Sequence, residues 1–322
     1  MAFRYINPGY GALTGDSSVE TFENATYNPT NGVAFQKCRD SNNYYYEVKI
    51  PTSQAFTSDI YGKFNLYFDS NSSDGHNFFI GAISSYNTSN IINKGVGVRL
   101  VYSKMYLQDG YVQRGSGINL QNYALNSIWF HWHKDANFDS SYGELNVNGN
   151  AENVAYSSYG YNYDFSSDNC FYIIFSNANY LADKIFISEL IISDEYISPK
   201  EKIIAIPTSQ TITDMTAGAS GIFIADAANQ SLLQSVDVAQ LIQDYGADSA
   251  ITGIALAGNP AYRTGETITT LTGLSKSGNV ITEHDTCELS EDSTSAIVDG
   301  WGLSGVTIAD LQNMQFGWKA GA

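Results

Sequence analysis

The sequence predicts a mainly β protein in two parts. An antiparallel jelly-roll or β-sandwich is expected over residues 1–203, and a smaller, mostly-β domain with two short helices over 204–322. Three observations predict it. The chain has 322 residues, enough to bury two cores. Strand-length runs of Tyr, Phe, Ile and Val alternate with polar tracts such as DSNSSDG (69–75) and SSYGYNYDFSSDN (157–169), the pattern of a sandwich built from short strands and turns. Composition also changes near residue 200. Of 23 tyrosines, 21 lie at or before Tyr196, and the segment 201–322 carries 4 basic residues (Lys202, Arg263, Lys276, Lys319) against 14 acidic ones. The boundary therefore falls in the stretch Pro199 to Pro207.

Taken in order, the expected strands of the first part are Tyr44–Ile50, Lys63–Phe68, Asn77–Ile83, Val96–Tyr102, Ile128–His133, Glu144–Val147, Cys170–Phe175 and Ile185–Ser193. Their β-branched and aromatic residues suit a pleated, half-buried surface, and no helix of ordinary length fits between them. In the second part, strands are expected at Gly221–Ala225, Ile251–Ala257, Thr267–Leu274, Val280–Thr282 and Met314–Lys319. Asp237 is placed to cap a helix over Val238–Tyr245, with Gln240 as capping-box partner and Gly246 as the stop. Thr307 is placed to cap Ile308–Asn313, with Asp310 in the first turn, where the helix dipole favours a carboxylate.

Charge and composition exclude several classes of partner. A formal net charge of −17 opposes binding to nucleic acid, whose affinity comes from phosphate neutralisation, and to anionic membrane surfaces. No apolar run is long enough to span a bilayer, so membrane insertion is not expected. The N-terminal stretch lacks a basic segment followed by an apolar one, so folding in the cytoplasm without a cleaved leader is expected. Cys38, Cys170 and Cys287 are odd in number, widely spaced and outside any CxxC, which points to quiet thiols.

Catalytic signatures are sparse. Nucleophile-elbow, phosphate-loop and HExxH patterns are absent. A glycosidase needs two converging carboxylates, and the nearest acids are Glu189, inside a strand, and Asp194-Glu195, in the turn after it. His131 and His133 flank Trp132, so on a strand both imidazoles share one face, opposite Ile128, Phe130 and Trp132. That pair suits a metal or acid–base work, with Asp135 the nearest third group in sequence, and it equally suits a plain solvent-facing strand.

Two stretches carry a family resemblance. Ser127 to Gly149 (SIWFHWHKDANFDSSYGELNVNG) is a Trp-anchored strand, a polar turn and a returning strand ending in Asn-Gly. Ile185 to Pro199 (IFISELIISDEYISP) is a strand running into a polar terminal turn. Together they resemble the closing half of a laminin-G or concanavalin-A-like lectin sandwich, over roughly residues 1–200. The resemblance implies a concanavalin-A-like fold and binding rather than catalysis, and it implies calcium at the rim. Oxygen ligands at alternating positions are offered by Asp69, Asn71 and Asp74, and by Asp135, Asn137 and Asp139. Neither loop is an EF-hand, because Ile80 and Asn146 stand where its bidentate Glu would fall, and both also read as hairpin turns. No other cofactor is expected.

Tyrosines are the candidate contacts for a ligand, since their rings stack on apolar sugar faces while their hydroxyls stay wet. Tyr86, Tyr111, Tyr156, Tyr159, Tyr161 and Tyr163 fall in turn-rich segments and form the expected platform, although tyrosine also fills sandwich cores. The acidic tail, Gln234–Lys276 and Ile281–Ala322, is similar to C-terminal modules of bacteriophage and prophage tail-associated structural proteins, closing with a Trp301 turn, a short helix and Gln315-Phe316-Gly317. This implies a virion component assembled in the host cytoplasm. Its implied partners are itself, as a homo-oligomer such as a trimer, other virion proteins, and host-surface glycan or protein. A glycan depolymerase and a purely architectural virion protein are the alternatives.

Overall fold

The computed structural model describes residues 4–7, 19–22, 35–38, 45–51, 58–69, 76–83, 95–109, 112–133, 141–155, 170–177, 184–218, 223–258, 268–289 and 297–322. Two compact units divide the chain, Met1–Ile203 and Ile204–Ala322.

The first unit is built from fourteen described strands: β1 (Arg4–Asn7), β2 (Val19–Phe22), β3 (Phe35–Cys38), β4 (Tyr45–Pro51), β5 (Asp59–Asp69), β6 (His76–Ile83), β7 (Gly95–Val101), β8 (Lys104–Asp109), β9 (Val112–Asn119), β10 (Ala124–His133), β11 (Tyr142–Val147), β12 (Asn150–Ala155), β13 (Cys170–Asn177) and β14 (Lys184–Ser193). They form two antiparallel sheets. One has the order β12-β11-β10-β5-β14-β3-β2, with β1 also on β14. The other runs β4-β13-β6-β7-β8-β9.

One apolar core lies between the sheets. Ile60, Phe64 and Leu66 of β5, Ile128, Phe130 and Trp132 of β10, and Leu145 and Val147 of β11 meet Ile80, Val98, Leu100, Met105 and Leu107 of the opposite sheet. Period-two alternation sends these residues inward, and each fully buried one contributes about 1.5–3 kcal/mol of transfer free energy. The Trp132 indole N–H crosses the gap to the Gly97 carbonyl at 2.9 Å, so one polar contact fixes the register of sheet on sheet.

Glycine makes room for the aromatic rings of β10. Gly62 stands opposite Phe130, and a Cβ there would come within 2.2 Å of its ring. Gly143 stands opposite Trp132, where a Cβ would meet the indole at 3.0 Å. Each large ring thus lies over a bare backbone on a neighbouring strand, a cross-strand pairing that fills the core without overpacking it.

Two irregular features close the sandwich. β14 is bulged between Ser188 and Ile191, where Glu189 adopts φ +52°. The break separates the part of β14 paired with β3 from the part paired with β1. At the far edge, Gly115 and Gly117 take φ +80° and +70°, so that the N–H groups of Ser116 and Gly117 converge on the Glu152 carboxylate at 2.5 and 3.1 Å. That nest joins the edge strand β9 of one sheet to the edge strand β12 of the other.

The second unit contains β15 (Thr208–Thr213), β16 (Thr216–Ala217), β17 (Phe223–Ile224), β18 (Ser231–Val236), α1 (Ala239–Tyr245), β19 (Ala250–Gly258), β20 (Thr270–Ser277), β21 (Val280–Glu288), β22 (Ile297–Thr307), a 3-10 turn (Asp310–Asn313) and β23 (Met314–Gly321). Its main sheet has the order β15-β18-β23-β20-β21, with two smaller pairs, β16-β17 and β19-β22. A small core gathers Val238, Leu241, Trp301, Ile308, Leu311 and Phe316.

The mainly β class therefore holds, with three refinements in the second unit. The helix begins one residue later than expected, with Val238 as its N-cap and no side-chain cap; Asp237, just before it, accepts from the Ala239 N–H at 3.0 Å, and Gln240 bonds Asp244 one turn on and closes no capping box. Trp301 sits within the long strand β22 and not in a turn, with its ring stacked on His284 at 3.7 Å. The expected helix Ile308–Asn313 capped by Thr307 is instead a 3-10 turn with Ala309 as its N-cap, and Thr307 donates its N–H and hydroxyl to the Asp310 carboxylate at 2.8 and 2.7 Å.

Candidate functional site

The chemistry-bearing residues gather on the outward face of β5, β10 and β11, the side of the sheet away from the sandwich core. Alternation places Asp59, Tyr61 and Lys63 of β5, Trp129, His131 and His133 of β10, and Tyr142 and Glu144 of β11 on this face. The register aligns them in rows: Lys63 opposite Trp129, then Tyr61–His131–Glu144, then Asp59–His133–Tyr142.

The first row is covered. After β14 the chain folds back across the sheet, and the Trp129 indole donates to the Ile197 carbonyl at 2.6 Å. Lys63, 3% exposed, donates its ammonium to the Glu201 carbonyl, and burial lowers its pKa. Glu189 is buried here too, with its carboxylate accepting from the Ile203 N–H at 3.4 Å. It is engaged by backbone beneath this covering segment, whereas Asp194 is half-buried and Glu195 exposed.

In the second row His131 is enclosed, at 4% exposure. The Tyr61 ring lies flat on its imidazole at 4.0 Å and 10°, and Tyr142 meets it edge-on at 5.3 Å. Its Nδ1 is 2.9 Å from Glu144 Oε2 and its Nε2 is 2.8 Å from Asp59 Oδ1. The same Asp59 oxygen lies 2.8 Å from Nδ1 of His133, and the Ser58 hydroxyl donates to the other oxygen at 2.6 Å. Burial alone would push the Asp59 carboxyl up, but the hydrogen bonds from His131, Ser58 and His133 outweigh it and hold the group well below the usual carboxylate range.

The surrounding phenols respond in the opposite sense. Burial, then the neighbouring Asp59 charge, pushes Tyr61 up to about 12. Tyr142 is raised by its burial and by Glu144 and Asp59. Both rings therefore remain neutral phenols across the physiological range. Tyr196, 65% exposed, stands edge-on to Tyr61 at 5.9 Å, and Tyr142 is 37% exposed, so the cluster is rimmed by aromatic rings open to solvent.

Asp59, His131 and His133 each offer one ligand atom within 4.8 Å of those of the other two and constitute a potential ligand set for a metal ion. His131 and His133 do share the face opposite Ile128, Phe130 and Trp132, as alternation requires. The third group is Asp59, from a strand 72 residues earlier, and Asp135 lies outside the described residues. The alternation SDIYGKFNLYFD (58–69) carries the missing signal. Extending the expected strand Lys63–Phe68 back to Asp59 puts Asp59, Tyr61 and Lys63 on one face. Tyr86, Tyr111, Tyr156, Tyr159, Tyr161 and Tyr163 lie outside the described residues, as do Asn71, Asp74, Asn137 and Asp139. Asp69 closes β5 opposite Lys184, and its side chain too lies outside what is described.

No family model matches this sequence, and no curated protein matches it. Similar solved structures include the catalytic domain of a glycoside hydrolase family 131 protein from Coprinopsis cinerea, at 11% identity and TM-score 0.38, covering 64% of this chain and 87% of that one. Basic winged bean lectin with Tn-antigen matches at 10% identity and TM-score 0.35, covering 60% and 98%. Peanut lectin with a nine-residue peptide matches at 11% identity and TM-score 0.35, covering 60% and 97%. With TM-scores below 0.5, these likenesses carry no functional weight.

Proposed function

We propose that this chain is an adhesion protein of a bacteriophage or prophage particle, whose sandwich binds host-surface glycan or protein reversibly. The observation that carries the binding reading is the rim of wet aromatic rings, Tyr142 and Tyr196, packed around Tyr61 and the His131 imidazole. Such rings stack on the apolar face of a sugar, and the neighbouring carboxylates and imidazoles accept or donate to its hydroxyls. Single contacts of this kind are weak, and several copies acting together would make them tight.

The second unit supports an attachment role. Its edge strands β15 and β21 are largely exposed, and Ile212 (49%), Val280 (68%) and Ile281 (54%) present apolar side chains to solvent. The acidic tail, with its similarity to phage tail modules, supports placement on a virion. Binding of the full-length chain to host cells and to a glycan array tests the adhesion half. Loss of binding in Tyr196→Ala and Tyr142→Ala is expected, and equal binding by both variants would remove this face from the reading. Mass spectrometry of purified particles tests the other half, with a fixed copy number against a major tube or capsid protein as the expected result.

A further inference from the structure

We infer that Asp59, His131 and His133 form a binding site for a borderline divalent transition cation, with zinc as the type ion, and that Glu144 orients the buried imidazole from behind. The inference does not depend on adhesion.

Donor chemistry selects the ion. Two imidazole nitrogens and one carboxylate oxygen suit zinc, nickel, copper or ferrous iron, whereas calcium and magnesium prefer oxygen alone. The geometry is close to a coordination sphere. Ligand atoms bonded to one such ion at about 2.1 Å stand about 3.0–3.4 Å apart. Asp59 Oδ1 already lies 2.8 Å from both His131 Nε2 and His133 Nδ1, so these two edges need open by only a few tenths of an ångström, and the three residues' ligand atoms all lie within 4.8 Å of one another.

The hydrogen-bond inventory points the same way. Both ring nitrogens of His131 face carboxylate oxygens, which accept and do not donate. A neutral imidazole has one N–H and can donate to only one of the two, so the second contact calls for a positive charge, either a second ring proton or a bound cation. A cation on Nε2 supplies that charge and leaves the Nδ1–H to donate to Glu144. This is the arrangement in which an outer carboxylate fixes the tautomer of a metal-bound histidine. Tyr61 stacked at 4.0 Å and Tyr142 edge-on at 5.3 Å hold the ring in that plane.

Accessibility completes the site. The His131 side chain is 5% exposed, while Asp59 and His133 are 24% and 30% exposed. An ion would therefore enter from the solvent side and keep at least one position for water or an exogenous ligand. Asp59 lies on β5 and both histidines on β10, so the ion would tie two neighbouring strands together at one end of the sheet.

The test uses the full chain made without a histidine tag and stripped with chelator. Titration with zinc, and with cobalt as a spectroscopic probe, is expected to saturate at one ion per chain. It should give the visible absorption of low-coordinate cobalt with nitrogen ligands and raise the melting temperature, whereas calcium should do neither. Asp59→Asn and His133→Gln are each expected to weaken zinc at least about tenfold, and Glu144→Gln by about 10–100-fold, the range for a lost outer-sphere partner. His284→Ala, in the second unit, should leave affinity unchanged. His133 is partly exposed, so its variant keeps the fold, and the melting temperature without metal verifies this. Absence of saturable binding up to millimolar zinc overturns the inference, and so does zinc affinity that survives in the Asp59→Asn/His133→Gln double variant.

Discussion

The two faces of β10 bury their side chains for opposite reasons. Inward, Ile128, Phe130 and Trp132 are at most 2% exposed and are held by apolar area and by glycines that make room for the rings. Outward, Trp129 and His131 are nearly as deep, at 8% and 4%, yet they are enclosed by a returning chain segment, by stacked phenols and by two carboxylates. A strand of a two-layer sandwich usually leaves one face wet. Here the second face is a compact polar assembly, and depth alone does not distinguish packing from chemistry.

Perturbing each face separates the two kinds of burial. Phe130→Ala breaks the inward face and should cost about 3–5 kcal/mol, read from the denaturant midpoint at unchanged m-value. Gly62→Ala presses a methyl into the same ring from the opposite strand and should cost about 1–3 kcal/mol, the range for overpacking. On the outward face, His131→Ala leaves Asp59 and Glu144 without the group they share. It should cost about 1–3 kcal/mol, recovered in part when Asp59→Asn is added.

Acid sharpens the contrast further. The Asp59 carboxyl is depressed in the folded chain, so it contributes stability at pH values above the ordinary 3.8 and loses that contribution progressively as pH falls below it. Wild type should therefore lose stability in acid more steeply than Asp59→Asn, while Phe130→Ala, set on the apolar face, should follow the wild-type slope. Matching slopes for wild type and Asp59→Asn would show that the outward cluster is not coupled to folding. Glu144→Gln is the mildest change, about 0–1 kcal/mol in the absence of metal, because its partly exposed contact to one imidazole nitrogen is screened.

The inward face was legible in the sequence because period-two apolar spacing writes it directly. Ile128, Phe130 and Trp132 announce a strand and its core side. The shared face of His131 and His133 followed from the same alternation. Asp59 did not, because its place depends on β5 pairing with β10, and no local pattern links residues 72 apart. The covering segment was also hidden: Tyr196 and Ile197 read as a terminal turn, and nothing in the sequence says that the chain turns back over Trp129. β8 and β9, and β12 after the Asn148-Gly149 turn, were missed for a different reason. Their glycines, asparagines and charges look like loop, and the strand β22 with Gly300, Gly302 and Gly305 misled in the same way.

The pairing of β1 with β14 has a consequence for synthesis. Arg4 meets Ser193, so the first described strand of the sandwich has its hydrogen-bonding partner only once the last strand has been made. At ordinary ribosomal speeds of about 5–20 residues per second, that leaves β1 waiting about ten to forty seconds. β5 waits for β10 and β14 in the same way. During that interval the nascent chain carries unpaired strand edges, the surface on which neighbouring nascent copies would pair by mistake. Production of this protein should therefore be sensitive to translation rate and chaperone supply well before any question of its final stability arises.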